Sequence, residues 1–120
     1  MTGKLLFCID CSGEEEVAME KTSCGPGLEV DRCPRCGGIW LDTGEMETLL
    51  KLGRFYIENL DQQTSFQKPI STTRLCPRCA IKLQPMIYER LKTIELDVCP
   101  RCGGIWCDTG ELKLIGESNL

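Results

Sequence analysis

One fourteen-residue stretch of this chain occurs twice, almost letter for letter. Cys33-Pro34-Arg35-Cys36-Gly37-Gly38-Ile39-Trp40-Leu41-Asp42-Thr43-Gly44-Glu45-Met46 returns as Cys99-Pro100-Arg101-Cys102-Gly103-Gly104-Ile105-Trp106-Cys107-Asp108-Thr109-Gly110-Glu111-Leu112, with 12 of 14 positions identical. A further cysteine pair of C-x-x-C spacing precedes each copy, Cys8/Cys11 and Cys76/Cys79. A small four-cysteine unit is thus written twice, and a unit of that kind reads as a metal site. Units of about 45 residues bury too little apolar surface to offset chain entropy unaided. Metals, disulfides or mutual packing must complete them.

The ten cysteines in 120 residues fit a metal-stapled or a disulfide-stapled chain. The start of the chain bears on that choice. Its only apolar run there, Leu5-Leu6-Phe7, is too short for a signal-peptide core, and no stretch approaches membrane-spanning length. The expectation is a cytoplasmic protein, where reduced thiols favour metal over disulfide.

The net charge is −4, and two closed four-thiolate sites would each add about two negative charges. Such acidity disfavours nonspecific nucleic-acid binding by the whole chain. The balance is uneven, with five Lys/Arg against ten Asp/Glu in residues 1–52 and seven against five in residues 74–116. Phosphate contact is therefore expected, if anywhere, from Arg78, Lys82, Arg90, Lys92 and Arg101. The knuckle arginines Arg35, Arg78 and Arg101 are read first as solvated cations that offset thiolate charge.

The repeats divide the chain into residues 5–52, a connecting segment 53–73, and residues 74–116. Strands are predicted near Val17–Lys21 and Leu28–Arg32, and at Leu83–Tyr88 and Thr93–Val98, where Ile94, Leu96 and Val98 alternate inward. Cys24-Gly25-Pro26-Gly27 is a turn, and Gly-Gly-Ile-Trp in each repeat is a short third strand. Asp42 and Asp108 read as helix N-caps, with Glu45 and Glu111 three residues on completing the reciprocal pattern. The first helix should cover Thr43–Leu52 with Met46, Leu49 and Leu50 inward, and the second should be shorter, ending near Gly116. Arg54–Leu60 is apolar enough for a short docking helix, followed by polar linker to Thr73. The fold class is a small metal-stabilised α+β. Each repeat is a β-hairpin with a short third strand and a C-terminal helix.

Two cysteines two residues apart at a tight turn point at one cation while turn amides donate to their sulfurs. Proline after the first presets the turn, and glycine after the second tolerates the left-handed backbone that closes it. Two such knuckles give the four-thiolate arrangement of closed structural zinc, Cys8, Cys11, Cys33 and Cys36 in one repeat and Cys76, Cys79, Cys99 and Cys102 in the other. Iron uses the same ligands and is the rival metal. Cys76-Pro77-Arg78-Cys79 has Ala80 in the glycine position, and Cys8-Ile9-Asp10-Cys11 lacks both aids and is followed by Glu14, Glu15 and Glu16. The first site is accordingly expected to be the weaker. Cys24, at a hairpin tip, reads as an exposed thiol and Cys107 as a small apolar core residue. Trp40 and Trp106 invite a reading as base-stacking platforms, but their identical place beside a knuckle favours a core role.

At Cys-Pro-x-Cys-Gly-Gly-x-Trp-x-Asp-x-Gly-Glu both repeats resemble the transcription factor IIB-type zinc-finger family. The resemblance implies two tandem zinc ribbons, two Zn2+ ions and the eight cysteine ligands named above. The departure at Cys8–Ser12 weakens the transfer for the first site. With no histidine and closed coordination shells, enzymatic chemistry is not expected. The expected function is an adaptor for a protein partner, in transcription if the family name is a guide, with weaker nucleic-acid contact. The alternative is a thiol/zinc redox sensor or a redox-switched chaperone.

Overall fold

The computed structural model describes residues 5–11, 16–61, 74–87 and 94–118. The first hairpin is β1 (Glu20–Ser23) and β2 (Glu29–Arg32), followed by β3 (Ile39–Leu41) and α1 (Glu45–Leu52). A second helix, α2 (Arg54–Leu60), comes next. Repeat two then gives β4 (Gln84–Ile87), β5 (Glu95–Val98), β6 (Ile105–Cys107) and α3 (Glu111–Ser118). α3 equals α1 in length at eight residues, rather than being shorter.

The strands form one antiparallel sheet in the order β1-β2-β3-β6-β5-β4. The order is palindromic by repeat. β3 and β6 pair at its centre with Trp40 opposite Trp106, so an approximate two-fold axis relates the repeats there. The repeats are therefore halves of one sheet. Each half offers a third strand of only three residues, whose outer edge is left unpaired until the other half covers it.

Strand alternation sorts side chains to two faces. On one face Val30, Ile39, Leu41, Leu96 and Cys107 meet Met46 and Leu49 of α1, Ile57 and Leu60 of α2, and Leu112 and Ile115 of α3. On the other, Trp40 and Trp106 join the ligand cysteines together with Leu6, Met19 and Leu83. Both clusters draw on both repeats. The helix-face core supplies an apolar interior that neither unit has alone, so the ions do not carry the fold unaided.

α2 links the halves. After its last residue, the buried Asp61 carboxylate accepts the backbone N–H groups of Gly110 and Lys113, each at 2.9 Å, and so caps α3. At the start of α1 the sequence expectation holds by half. Glu45 reaches back to the Asp42 N–H at 2.7 Å, and Glu111 to that of Asp108 at 2.8 Å. Gly44 rather than Asp42 stands at the N-cap of α1, in the left-handed region with φ 89°. The aspartates are engaged elsewhere.

Twenty-one residues separate Cys11 from Cys33 and nineteen separate Cys79 from Cys99, and this two-residue difference is the sum of two changes. The backbone N–H of Cys76 bonds to Ile81 O, whereas that of Cys8 bonds to Val17 O, which puts four extra residues after the first knuckle. The first hairpin is shorter, since Ser23 pairs with Glu29 while Ile87 pairs with Glu95. Cys24, read as exposed, is 5% exposed and packs into the helix-face core because the turn folds back onto the helices.

Candidate metal centre

Each repeat brings its four cysteines together, and within each set all the sulfurs lie within 4.8 Å of one another. Cys8 Sγ is 3.8 Å from Cys36 Sγ, Cys11 Sγ is 3.9 Å from Cys33 Sγ, and Cys76 Sγ is 3.8 Å from Cys102 Sγ. A tetrahedron with metal–sulfur bonds of about 2.3 Å has edges of about 3.8 Å. A disulfide needs about 2.05 Å. The spacing is that of a tetrathiolate metal site.

Backbone amides complete the knuckles. The N–H of Cys11 donates to Cys8 Sγ at 3.4 Å, that of Cys36 to Cys33 Sγ at 3.5 Å, that of Cys79 to Cys76 Sγ at 3.3 Å and that of Cys102 to Cys99 Sγ at 3.4 Å. Such bonds stabilise thiolate over thiol. Accordingly the Cys33 thiol lies well below its usual range, held down by hydrogen bonds from Cys36 and Cys8. Burial works against ionisation of Cys99, yet the N–H groups of Cys102 and Arg101 prevail and bring it to about 7. Burial pushes Cys11 and Cys76 up to about 12. One thiol in each set, Cys33 and Cys99, is thus shifted towards thiolate, the form in which cysteine binds a divalent cation.

Gly37 and Gly103 close their knuckles at φ 78° and 76°, in the region reserved for glycine. Ala80 adopts the same turn at φ 59° despite its side chain. The two sites differ in burial. All four ligands of the first set are buried, whereas Cys79 and Cys102 of the second are partly exposed.

The tryptophans are core residues of an unanticipated kind. A Cβ on Gly104 would collide with the ring of Trp40, and one on Gly38 with the ring of Trp106. Each ring lies on the second glycine of the other repeat's knuckle, not on its own hairpin. The indole N–H groups of Trp40 and Trp106 donate to Asp42 at 3.1 Å and Asp108 at 3.2 Å.

Those carboxylates then meet arginines. Arg78, between Cys76 and Cys79, grips Asp42 of the other repeat with Nε at 2.6 Å and Nη2 at 2.9 Å. Expected to be a solvated cation, it is an inter-repeat ion pair whose guanidinium is held more firmly protonated by the Asp42 hydrogen bonds. Arg74 binds Asp10 through Nε at 2.9 Å and Nη2 at 2.6 Å, and also Asp97 at 2.6 Å and Asp108 at 3.0 Å. Burial opposes its charge, but Asp10 and Asp108 keep it protonated.

The sequence reading missed Arg74, Asp10 and Asp42 as linking groups. One signal was present: the position between the first cysteine pair is Asp10 in repeat one and Arg78 in repeat two, opposite charges in otherwise parallel units. Of the other basic candidates, Lys82 and Arg101 are exposed, and Arg90 and Lys92 lie outside the described residues.

Fold and site together define a tandem four-cysteine zinc ribbon with one Zn2+ per set. The zinc-ribbon family described as "Transcription factor zinc-finger" matches residues 8–52 and 75–118, and the chain belongs to it. Comparison with curated proteins and with solved structures found no match. No described helix is long and apolar enough to cross a membrane.

Proposed function

We propose that this chain is a non-enzymatic zinc-ribbon adaptor that presents one rigid surface to a protein partner in the cytoplasm, in transcription if the family name is a guide. The closed coordination of both sets carries this reading. Four sulfurs at tetrahedral spacing leave no position for substrate or an activated water. The chain also has no histidine to move a proton.

Phe55, Met86 and Ile87 support the adaptor reading, since they are 70%, 45% and 55% exposed although neither core needs them there. Nucleic-acid binding is the lesser role, because Asp42 neutralises Arg78. The test is affinity capture with the zinc-loaded chain, wild type against a Phe55→Glu/Ile87→Glu variant. A partner retained at high salt by wild type and lost by the variant supports the adaptor. Retention that nuclease abolishes and that falls steeply with salt replaces it with nucleic-acid binding.

The redox-sensor alternative drew on a weaker first site and on Cys24 as an exposed thiol, and Cys24 is buried. That alternative now rests on the partial exposure of Cys79 and Cys102. Peroxide that leaves both zinc ions bound removes it.

A further inference from the structure

All four knuckles are fastened to the opposite repeat. Asp10, inside the first, accepts from Arg74 of repeat two, which also holds Asp108 and through it the Trp106 indole. Gly38, two residues past Cys36, seats the Trp106 ring. Arg78, inside the third, grips Asp42, which holds the Trp40 indole. The carbonyl of Cys102, in the fourth, accepts from the Thr43 hydroxyl, and Gly104 seats the Trp40 ring.

We propose that Arg74 and Arg78 are positioning residues that tie each zinc site to the other repeat, so that the two ions load and leave as a pair. The argument goes beyond the adaptor reading and depends only on the zinc sites. A knuckle takes up its turn when its sulfurs share a cation. When the third knuckle is set, Arg78 is held where it meets Asp42, at the end of the strand β3 that leaves the Cys33/Cys36 knuckle of the first site. Asp10 in the first knuckle is likewise set where it meets Arg74, two residues before Cys76 of the second site, and Arg74 also holds Asp97, two residues before Cys99. Zinc at either site therefore lowers the ordering cost at the other, which is coupling between binding sites. Asp10 is buried with its side chain 0% exposed, so displacing its knuckle breaks a two-pronged ion pair that is shielded from water. That penalty makes the half-loaded state unfavourable.

The experiment is native mass spectrometry of the full chain during zinc titration with thiols reduced. Independent equal sites put about half of the molecules in the one-zinc state at half loading, and any inequality between the sites only raises that fraction. Coupling of about 5- to 150-fold lowers it to between about a third and about a thirteenth. A wild-type fraction of half or more overturns the proposal. The Arg78→Gln chain assigns the effect. Its one-zinc fraction is expected to rise towards half while it still reaches two zinc ions at saturation, a change that general destabilisation does not produce. A fraction equal to wild type removes Arg78 from the mechanism. Should Arg78→Gln not reach two ions, Arg78→Lys is read in its place. It keeps the charge, loses the two-pronged grip and is expected at an intermediate fraction.

Discussion

Trp40 occupies the space that a side chain on Gly104 would need, 64 positions further along the chain and in the other repeat. The relationship is reciprocal, since Trp106 does the same to Gly38. The glycines beside the metal knuckles are therefore seats for the partner's indole rings. This exchange, with the β3–β6 pairing, converts two marginal units into one two-faced sheet.

Gly104→Ala is expected to destabilise the zinc-loaded chain by about 2–3 kcal/mol, near the upper end of the cost of overpacking a core, because the ring has nowhere to move. Neither Gly38 nor Gly104 has positive φ, so the effect is steric and not conformational. Denaturant unfolding measures it, and a cost below about 0.5 kcal/mol would show that the ring does not rest there.

Ala80→Gly should work in the opposite sense. Ala80 stands at φ 59°, where a Cβ is strained and glycine is not. The substitution is expected to stabilise by about 0.5–1 kcal/mol after allowing for the greater freedom of glycine in the unfolded chain. The thermal midpoint reads it, and an unchanged or lowered value would count against the strained turn.

Arg74→Met removes the cation facing buried Asp10 and is expected to cost about 3–5 kcal/mol. Adding Asp10→Asn should recover part of that loss, because the carboxylate charge that faced the lost cation goes with it. A double-mutant cycle on unfolding free energies decides the matter. Strict additivity would mean that the pair does not interact.

Burial raises the Glu111 carboxyl to about 7, outweighing the Asp108 N–H that favours its anion. The folded chain then holds this proton more tightly than the unfolded chain, whose group titrates at about 4.5. Its contribution is full below the unfolded value and is lost as pH rises through the folded one. Wild type should therefore lose stability relative to Glu111→Gln as pH climbs from about 5 to about 7.5. Parallel profiles for the two zinc-saturated chains would show that the carboxyl titrates normally.

Thiol labelling should follow exposure. In the zinc-loaded chain Cys24 and Cys107 resist alkylation, because burial pushes the first thiol up to about 11 and the second well above its ordinary range. As chelator is added and the two ions leave together, both ligand sets should take label in step, ahead of Cys24 and Cys107. Peptide mass spectrometry locates the label, and early modification of Cys24 would contradict its burial.

The eight ligands, the strand pairs and the helix starts were legible in the sequence because each rests on local chemistry. C-x-x-C spacing, proline and glycine in a knuckle, alternation along Thr93–Val98 and the return of Glu45 to the Asp42 amide all act within a few residues. Where local reading failed, a distant group had intervened. The side chains of Asp42 and Asp108 left the cap position because arginines and indoles offered them charged and polar partners. Cys24 left the surface because its turn folds onto the helices.

What the sequence determined by itself was two copies of a four-cysteine unit and a four-thiolate metal site in each, since ligand type and spacing define a coordination shell without reference to the rest of the chain. Only the tertiary structure decided that the copies are halves of one body. The pairing of β3 with β6, the crossed tryptophans and the ion pairs of Arg74 and Arg78 join residues far apart in sequence. Surface burial and charge neutralisation drive those contacts, and no local period or spacing records them.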